Sequence, residues 1–119
     1  MTREANHYIQ DIVKNDFDPI QDNVYAVIPE GRRDIAAVRA SLESKRKDVI
    51  FLVWKTESGH LKHQELKSSS SGECLHIDQI VVQNDLAIIS IDAGEGYKNR
   101  HLMEKQEIPL KELKGLKKY

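Results

Sequence analysis

An unbroken run of six large apolar residues, VIFLVW at positions 49–54, constrains this chain more than any other feature of its sequence. A run this short, rich in β-branched and aromatic residues, is typical of a strand buried on both faces, because a half-buried strand alternates apolar and polar residues. We therefore predict that residues 49–54 form a central strand and that the flanking segments pair with it or cover it.

The composition is that of an ordinary globular chain and predicts one domain over residues 1–119. A net charge of −1 argues against a protein that coats nucleic acid in general, but it is compatible with a local basic patch. No apolar run approaches the roughly 18 residues of a membrane span, and the start of the chain, MTREAN, lacks the apolar centre of a signal peptide. Because Cys74 is the single cysteine, an internal disulfide is excluded and we expect a cytoplasmic location.

Two helices and one short strand are predicted ahead of the central run. A first helix spans about residues 2–15, where apolar residues recur at helical spacing, and a strand follows at 24–28. A second helix is predicted over residues 32–46, because their apolar residues also recur at the spacing of one helix face. Strand 24–28, this second helix and strand 49–54 would then form a β-α-β unit with a right-handed crossover.

The chain after the run predicts antiparallel strands. Gly59, in the sequence ESGH, is a hairpin signal, because glycine takes a positive φ at no steric cost. The returning strand, 60–67, is markedly polar, and we place it near a sheet edge or beside a site. Residues 68–72, SSSSG, predict a mobile loop.

The segment 73–83 fits either a strand or a short helix. Its apolar residues share helical spacing, but the sequence IVV and the turn pair Asn84-Asp85 favour a strand. A strand here gives a β-α-β unit followed by an antiparallel meander, whereas a helix gives β-α-β-β-α-β, a ferredoxin-like order. Both alternatives are α+β folds.

A closing helix is predicted at the end of the chain, after strands at 86–91 and 102–108. Pro109 can start this helix, in which three leucines turn inward and four lysines turn outward. The helix could dock on a partner, but we favour the interpretation that it covers its own sheet. The predicted fold is thus α+β: a β-α-β unit extended by an antiparallel meander and flanked by N- and C-terminal helices.

Asp48, Glu65 and Lys67 form the first candidate site. An acidic residue ahead of one strand and a Glu-x-Lys on the next is an arrangement in which metal-dependent nucleases hold a divalent cation and orient water. With these residues the stretch resembles the PD-(D/E)xK nuclease pattern, although Lys47 stands where the pattern has proline. The resemblance implies Mg²⁺ as the cofactor and nucleic acid as the substrate; without it, no cofactor is expected.

Cys74, His76 and Asp78 form the second candidate site, together with His63 from the preceding strand. On a strand, positions i, i+2 and i+4 share one face, so the first three side chains would align. Cysteine, histidine and carboxylate are zinc ligands, and the four residues therefore predict a metal site. Cys74 could alternatively be a nucleophile activated by an imidazole. We favour a structural interpretation, with a half-buried cysteine and surface polar residues.

The third candidate is a basic cluster in the predicted second helix. Backbone N–H groups at the start of a helix, together with Arg32 and Arg33, could hold a phosphate or RNA. The cluster consists of Arg32, Arg33, Arg39 and Arg46, with Lys45 and Lys47 beside them. We favour a solubilising helix face, because clustered Lys and Arg supply only non-specific attraction to nucleic acid.

No catalytic constellation in the sequence exceeds chance spacing, so the favoured function is a small non-catalytic cytosolic binding or interaction protein. It would act through a protein partner, or through self-association at an exposed strand edge or helix face. A nucleic-acid partner is an alternative, and a membrane is not expected. The alternative function is the metal-dependent nuclease that uses Asp48, Glu65 and Lys67.

Overall fold

The computed structural model describes residues 23–42, 47–69, 74–94 and 102–117, which form two antiparallel β-sheets. The first sheet contains, in spatial order, β1 (Asn23–Val27), β2 (Ile35–Leu42), β3 (Lys47–Lys55) and β4 (Leu61–Ser68). The second contains β5 (Cys74–Gln83), β6 (Leu86–Gly94) and β7 (Leu102–Pro109), followed by a 3₁₀ helix, Leu110–Glu112. Neighbouring strands are consecutive in the chain, so the chain passes from one sheet to the other once.

The predicted α+β fold and its ferredoxin-like alternative are both wrong, because the described chain is nearly all antiparallel sheet. Strand β2 occupies the region predicted as the second helix, which removes the β-α-β unit. One 3₁₀ turn, Leu110–Glu112, stands where a C-terminal helix was expected. The predicted helix over 2–15 and loop residues 70–72 lie outside the described residues. No helix in the described ranges has the length and apolarity to cross a membrane.

Strand β2 was mistaken for a helix because it is buried on both faces. Every residue from Ile35 to Ala40 is buried, and β2 lies between β1 and β3. A strand buried in this way does not alternate apolar and polar residues. By chance, Ile35, Val38 and Leu42 are spaced like the apolar residues on one face of a helix. The alanines of β2 added to the error, because alanine favours helices.

The prediction for residues 49–54 is confirmed. Strand β3 is flanked by β2 and β4, and all its residues from Asp48 to Trp54 are buried. Among the apolar residues of β3, the even-numbered ones join the core between the two sheets, and the odd-numbered ones join a second apolar cluster on the opposite face, the outer cluster. We call the face of the first sheet that packs on the second sheet its inner face, and the opposite one its outer face.

Both predicted hairpin turns are confirmed. Gly59, between β3 and β4, has a φ of +88°, and Asn84 and Asp85, between β5 and β6, have φ values of 52° and 60°. Positive φ at both central residues is the conformation of a type I′ turn, which suits the twist of a hairpin. The described part of the segment 73–83, Cys74–Gln83, is a strand rather than a helix, and the polar strand β4 lies at a sheet edge as expected.

A β-bulge in β5 changes which residues face the core. The ladder to β6 shifts between Ile77 and Gln79, which leaves Asp78 as the extra residue. Leu75 and Ile77 are buried before the bulge and Ile80 after it, because one extra residue resets the alternation of the strand. Both halves of β5 therefore pack on the core that the two sheets share.

Candidate functional site

Asp48 belongs to a buried polar cluster that joins the two sheets. Its Oδ2 accepts a hydrogen bond from the Leu75 N–H (2.8 Å), and Arg39 Nη1 donates to the Leu75 carbonyl oxygen (3.3 Å). Arg39 Nη1 is also 3.9 Å from Asp48 Oδ2. The Arg39 guanidinium stacks on Tyr25, with Cζ 4.6 Å from the ring centroid, and the Tyr25 hydroxyl accepts a hydrogen bond from the Ile77 N–H (2.9 Å).

These side chains occupy the edge of β5 that is not paired with β6. Strand β5 is an edge strand, and both backbone groups of Leu75 bond to side chains of the first sheet. Asp48 and Arg39 thus take the place of a neighbouring strand and satisfy polar groups that an open edge would expose. Asp48 also holds the end of β4, because its backbone N–H donates to Ser69 Oγ (2.7 Å).

The structure does not bring Asp48, Glu65 and Lys67 together around one point. Asp48 lies on the inner face, whereas Glu65 is paired with Phe51, which belongs to the outer cluster. Residues paired in an antiparallel ladder project from the same face, so the two carboxylates lie on opposite faces. Lys67 Nζ is 3.5 Å from Glu104 Oε2. These positions do not supply the convergent oxygen ligands of a divalent-cation site.

His63, Cys74, His76 and Asp78 are exposed and do not converge into a metal site. The His63 ring meets Phe51 edge-on on the outer face of the first sheet, at a centroid distance of 5.7 Å. Cys74 and His76 lie on the solvent-facing side of the second sheet, and Asp78 occupies the bulge. Within the described ranges, no group of three or more His, Cys, Asp or Glu side chains could hold a metal ion.

The three described arginines of the basic cluster do not share one surface. Arg32 forms a bidentate ion pair with Asp34, with distances of 2.9 Å and 3.0 Å, and Arg33 is exposed in the same loop. Arg39 is buried, and Arg46 lies outside the described residues. The predicted phosphate site relied on a helix N-terminus at Arg32, and this segment instead runs from a loop into strand β2.

A cleft of about 740 Å³ lies at one end of the two sheets, between the β5–β6 turn and the residues that follow β7. This volume is within the range of pockets that hold ligands, roughly 300–1,000 Å³. Its lining combines basic and apolar side chains: Arg32, Lys111, Lys114 and Lys117 with Leu86, Leu110, Leu113 and Leu116. Three separate parts of the chain therefore converge on one site, which we call the basic cleft.

The segment after β7 forms one wall of the basic cleft and is held by both sheets. On the side of the second sheet, the carbonyl oxygen of Asp85 accepts a hydrogen bond from the Leu110 N–H (2.9 Å). On the side of the first sheet, Trp54 Nε1–H donates to the carbonyl oxygen of Lys114 (3.0 Å), and the Glu57 N–H donates to the carbonyl oxygen of Gly115 (2.8 Å). The wall is therefore fixed in position relative to β3 and β6.

The lysines of the basic cleft were predicted to lie on the outer face of a helix, so their convergence with Arg32 was missed. The inward direction of the leucines is confirmed: Leu113 is buried, and Leu110 and Leu116 pack partly buried against the core. In the sequence, Gly115 is the signal against a helix that continues to the end of the chain, because a glycine in the left-handed region commonly ends a helix. Its φ is +83°.

We expect Gly115→Ala to lower the free energy of unfolding by roughly 2–3 kcal/mol, because it adds a steric clash to an unfavourable φ. A Cβ at this position would lie 2.8 Å from Thr56 Cγ2 and 3.0 Å from Thr56 Cβ. The measurement is urea denaturation followed by the fluorescence of Trp54, the single tryptophan.

Gly59→Ala is the matched control for this substitution. Gly59 has a φ of +88°, but a methyl group added there would have no heavy atom within 4 Å. Only the backbone preference is therefore lost, at a cost of roughly 1 kcal/mol. Equal losses in the two variants would show that the close approach of Gly115 to Thr56 does not contribute.

Comparisons of the chain with protein-family models, with curated proteins and with solved structures find no match. Fold and site alone therefore define the class of this protein: two packed antiparallel sheets that carry a basic, leucine-lined cleft at one end.

Proposed function

We propose that the protein is a small non-catalytic binding protein of the cytoplasm and that its basic cleft holds an acidic segment of a protein partner. The observation that carries this proposal is the presence of lysine and leucine side chains in one cleft. A ligand that offers both carboxylates and apolar side chains matches such a lining.

The charge of the basic cleft favours an anionic ligand. Lys111, Lys114 and Lys117 line it, whereas Asp85 is the single acidic residue among the described lining residues. Arg32 adds less to this surplus, because Asp34 already neutralises it. A surplus of positive charge in a cleft attracts acidic groups and speeds their association.

The apolar part of the lining favours a peptide over a nucleic acid. Leu86, Leu110 and Leu116 are only partly buried, so they can pack on apolar side chains of a ligand. Proteins that bind single-stranded nucleic acid stack the bases on aromatic side chains. None of the described lining residues is aromatic.

Two further observations support the non-catalytic and cytoplasmic parts of the proposal. The described lining residues include no serine, cysteine or histidine, so they lack the Ser–His and Cys–His pairs of nucleophilic catalysis. Cys74 is the single cysteine and an exposed thiol, which suits a reducing compartment.

The test is calorimetric titration with a short synthetic peptide of alternating glutamate and leucine. We expect saturable binding at low ionic strength that weakens as salt is added, because exposed charges are screened. The double variant Lys111→Gln, Lys114→Gln should bind the peptide about tenfold more weakly, since it removes two of the lysines that line the cleft.

Lys105→Gln is the matched control, because Lys105 is an exposed lysine of β7 that does not line the cleft. This variant should bind the peptide like the unchanged protein. A peptide with glutamine in place of glutamate should not bind. Equal weakening by Lys105→Gln, or tighter binding of a single-stranded oligonucleotide than of the acidic peptide, would refute the proposal.

A further inference from the structure

We propose that two copies of the chain associate through β4, with the edge of β4 that faces away from β3 pairing antiparallel with the same edge of the second copy. We call this edge the outer edge of β4. The inference concerns a surface different from the basic cleft, and it does not depend on what the cleft binds.

The outer edge of β4 is accessible to a partner strand. Strand β4 ends the first sheet, with β3 as its neighbour on the other side. All four residues from Lys62 to Glu65 are exposed. An open groove of about 530 Å³ also runs beside this stretch, and it is lined by Lys62, His63 and Gln64 on one side and by Trp54, Leu61, Glu112 and Lys114 around them. An exposed strand edge of this kind is a template for pairing with another chain.

The hydrogen-bonding pattern determines which residues of β4 face the outer edge. The Thr56 N–H donates to the His60 carbonyl oxygen (2.8 Å), so these two residues are a hydrogen-bonded pair of the β3–β4 ladder. Such pairs alternate along an antiparallel ladder. The backbone groups of Lys62 and Gln64 therefore point toward β3, and those of His63 and Glu65 point toward the outer edge.

A two-fold axis at Gln64 places His63 of each copy opposite Glu65 of the other. The backbone groups of both residues face the outer edge, so each of the two pairs can exchange two hydrogen bonds. His63 is paired with Val53, and Glu65 with Phe51, in the β3–β4 ladder. Since Val53 and Phe51 both belong to the outer cluster, the imidazole of one copy meets the carboxylate of the other on the same face.

Charge selects this register over its neighbours. A two-fold axis at Glu65 would set two carboxylates opposite each other, and an axis at His63 would do the same to two imidazoles. Two carboxylates directly opposite across a sheet repel each other and two imidazoles find no carboxylate acceptor, whereas an imidazole N–H opposite a carboxylate can donate a hydrogen bond to it. The register centred on Gln64 is therefore the one that β4 favours for its own copy.

The assembly closes at two copies and is expected to be weak. Pairing consumes the outer edge of both β4 strands, so no further copy can add there. The exposed stretch ends at the bulge residue Leu66, whose carbonyl oxygen accepts a hydrogen bond from Gln106 Nε2 (2.9 Å). A contact that involves so few residues buries little area and forms a reversible dimer.

Sedimentation equilibrium over a concentration series up to the millimolar range tests the proposal. We expect the mass of the unchanged protein to rise with concentration from one chain toward two. Glu65→Lys and His63→Glu should each weaken the dimer about tenfold or more, because Glu65→Lys removes both carboxylate acceptors and His63→Glu sets two pairs of carboxylates opposite each other. Both side chains are exposed, and circular dichroism checks that both variants keep the fold.

The double variant His63→Glu, Glu65→Lys should restore the dimer, because it sets glutamate opposite lysine twice. Only the register centred on Gln64 predicts this rescue, since the other two registers would oppose two lysines or two glutamates. The Lys105→Gln variant should dimerise normally, because Lys105 is exposed on β7 and does not line the groove beside β4. The proposal is overturned by a constant monomer mass for the unchanged protein, by a dimer that survives both single substitutions, or by failure of the double variant to restore it.

Discussion

Asp48→Ala is expected to lower the free energy of unfolding by roughly 3–5 kcal/mol, the cost typical of breaking a buried ion pair. Asp48 and Arg39 are about nine-tenths buried, so water cannot replace the lost carboxylate. The substitution leaves the Leu75 N–H without its acceptor and leaves the Arg39 cation without its counter-charge. Urea denaturation followed by the fluorescence of Trp54 measures the loss.

Asp48→Asn separates the hydrogen bond from the charge, because the amide oxygen can still accept from the Leu75 N–H. We expect this variant to lose less stability than Asp48→Ala. The double variant Asp48→Ala, Arg39→Met should lose less than the sum of its single substitutions, since the methionine removes the uncompensated cation. A loss of under about 0.5 kcal/mol in Asp48→Ala would contradict the buried position of this cluster.

Trp54→Ala is expected to cost roughly 3–5 kcal/mol, because it opens a cavity in the core between the sheets. Trp54 is 5% exposed and packs in that core. The substitution also removes the donor that holds the Lys114 carbonyl oxygen, so the wall of the basic cleft loses one of its attachments. Because the variant has no tryptophan, its denaturation is followed by circular dichroism.

Trp54→Phe is the control, because it keeps an aromatic ring in the core but cannot donate to Lys114. Loss of that hydrogen bond leaves a carbonyl oxygen without its partner, at a cost of roughly 1–3 kcal/mol. We expect Trp54→Ala to be clearly the more damaging of the two. Equal losses would show that the hydrogen bond, rather than the packing of the indole, accounts for the contribution of Trp54.

The elements that could be predicted from the sequence are those whose signal is local. Residues 49–54 are all apolar, so a buried strand was predictable, and Gly59 and the Asn84-Asp85 pair mark turns that few residue types adopt. Strand β2 carries no such signal, because burial on both faces removes polar alternation. The division into two sheets was also unpredictable, since the serine-rich segment after β4 permits either a further strand in one sheet or a crossing to another.

The positions of the candidate residues depend on distant contacts and were predicted less well. Asp48 bonds to a residue 27 positions away, and Arg39 to one 36 positions away. From charge alone, Asp48 was predicted to bind a cation and Arg39 was predicted to face water. A sequence does not reveal the buried partner that each of these side chains has. The basic cleft was missed for a related reason: Arg32 and the C-terminal lysines converge only once β7 has paired with β6.

The single passage between the sheets has a consequence for folding. Each sheet consists of strands that follow one another in the chain, so each can form by closing connections between neighbours, which costs little entropy. Tyr25, Arg39 and Asp48 belong to three different strands and can act on β5 together only after those strands have paired. We therefore expect their contacts to form late, and late contacts chiefly slow unfolding. On this expectation, the buried cluster acts on the lifetime of the native state more than on the speed at which it is reached.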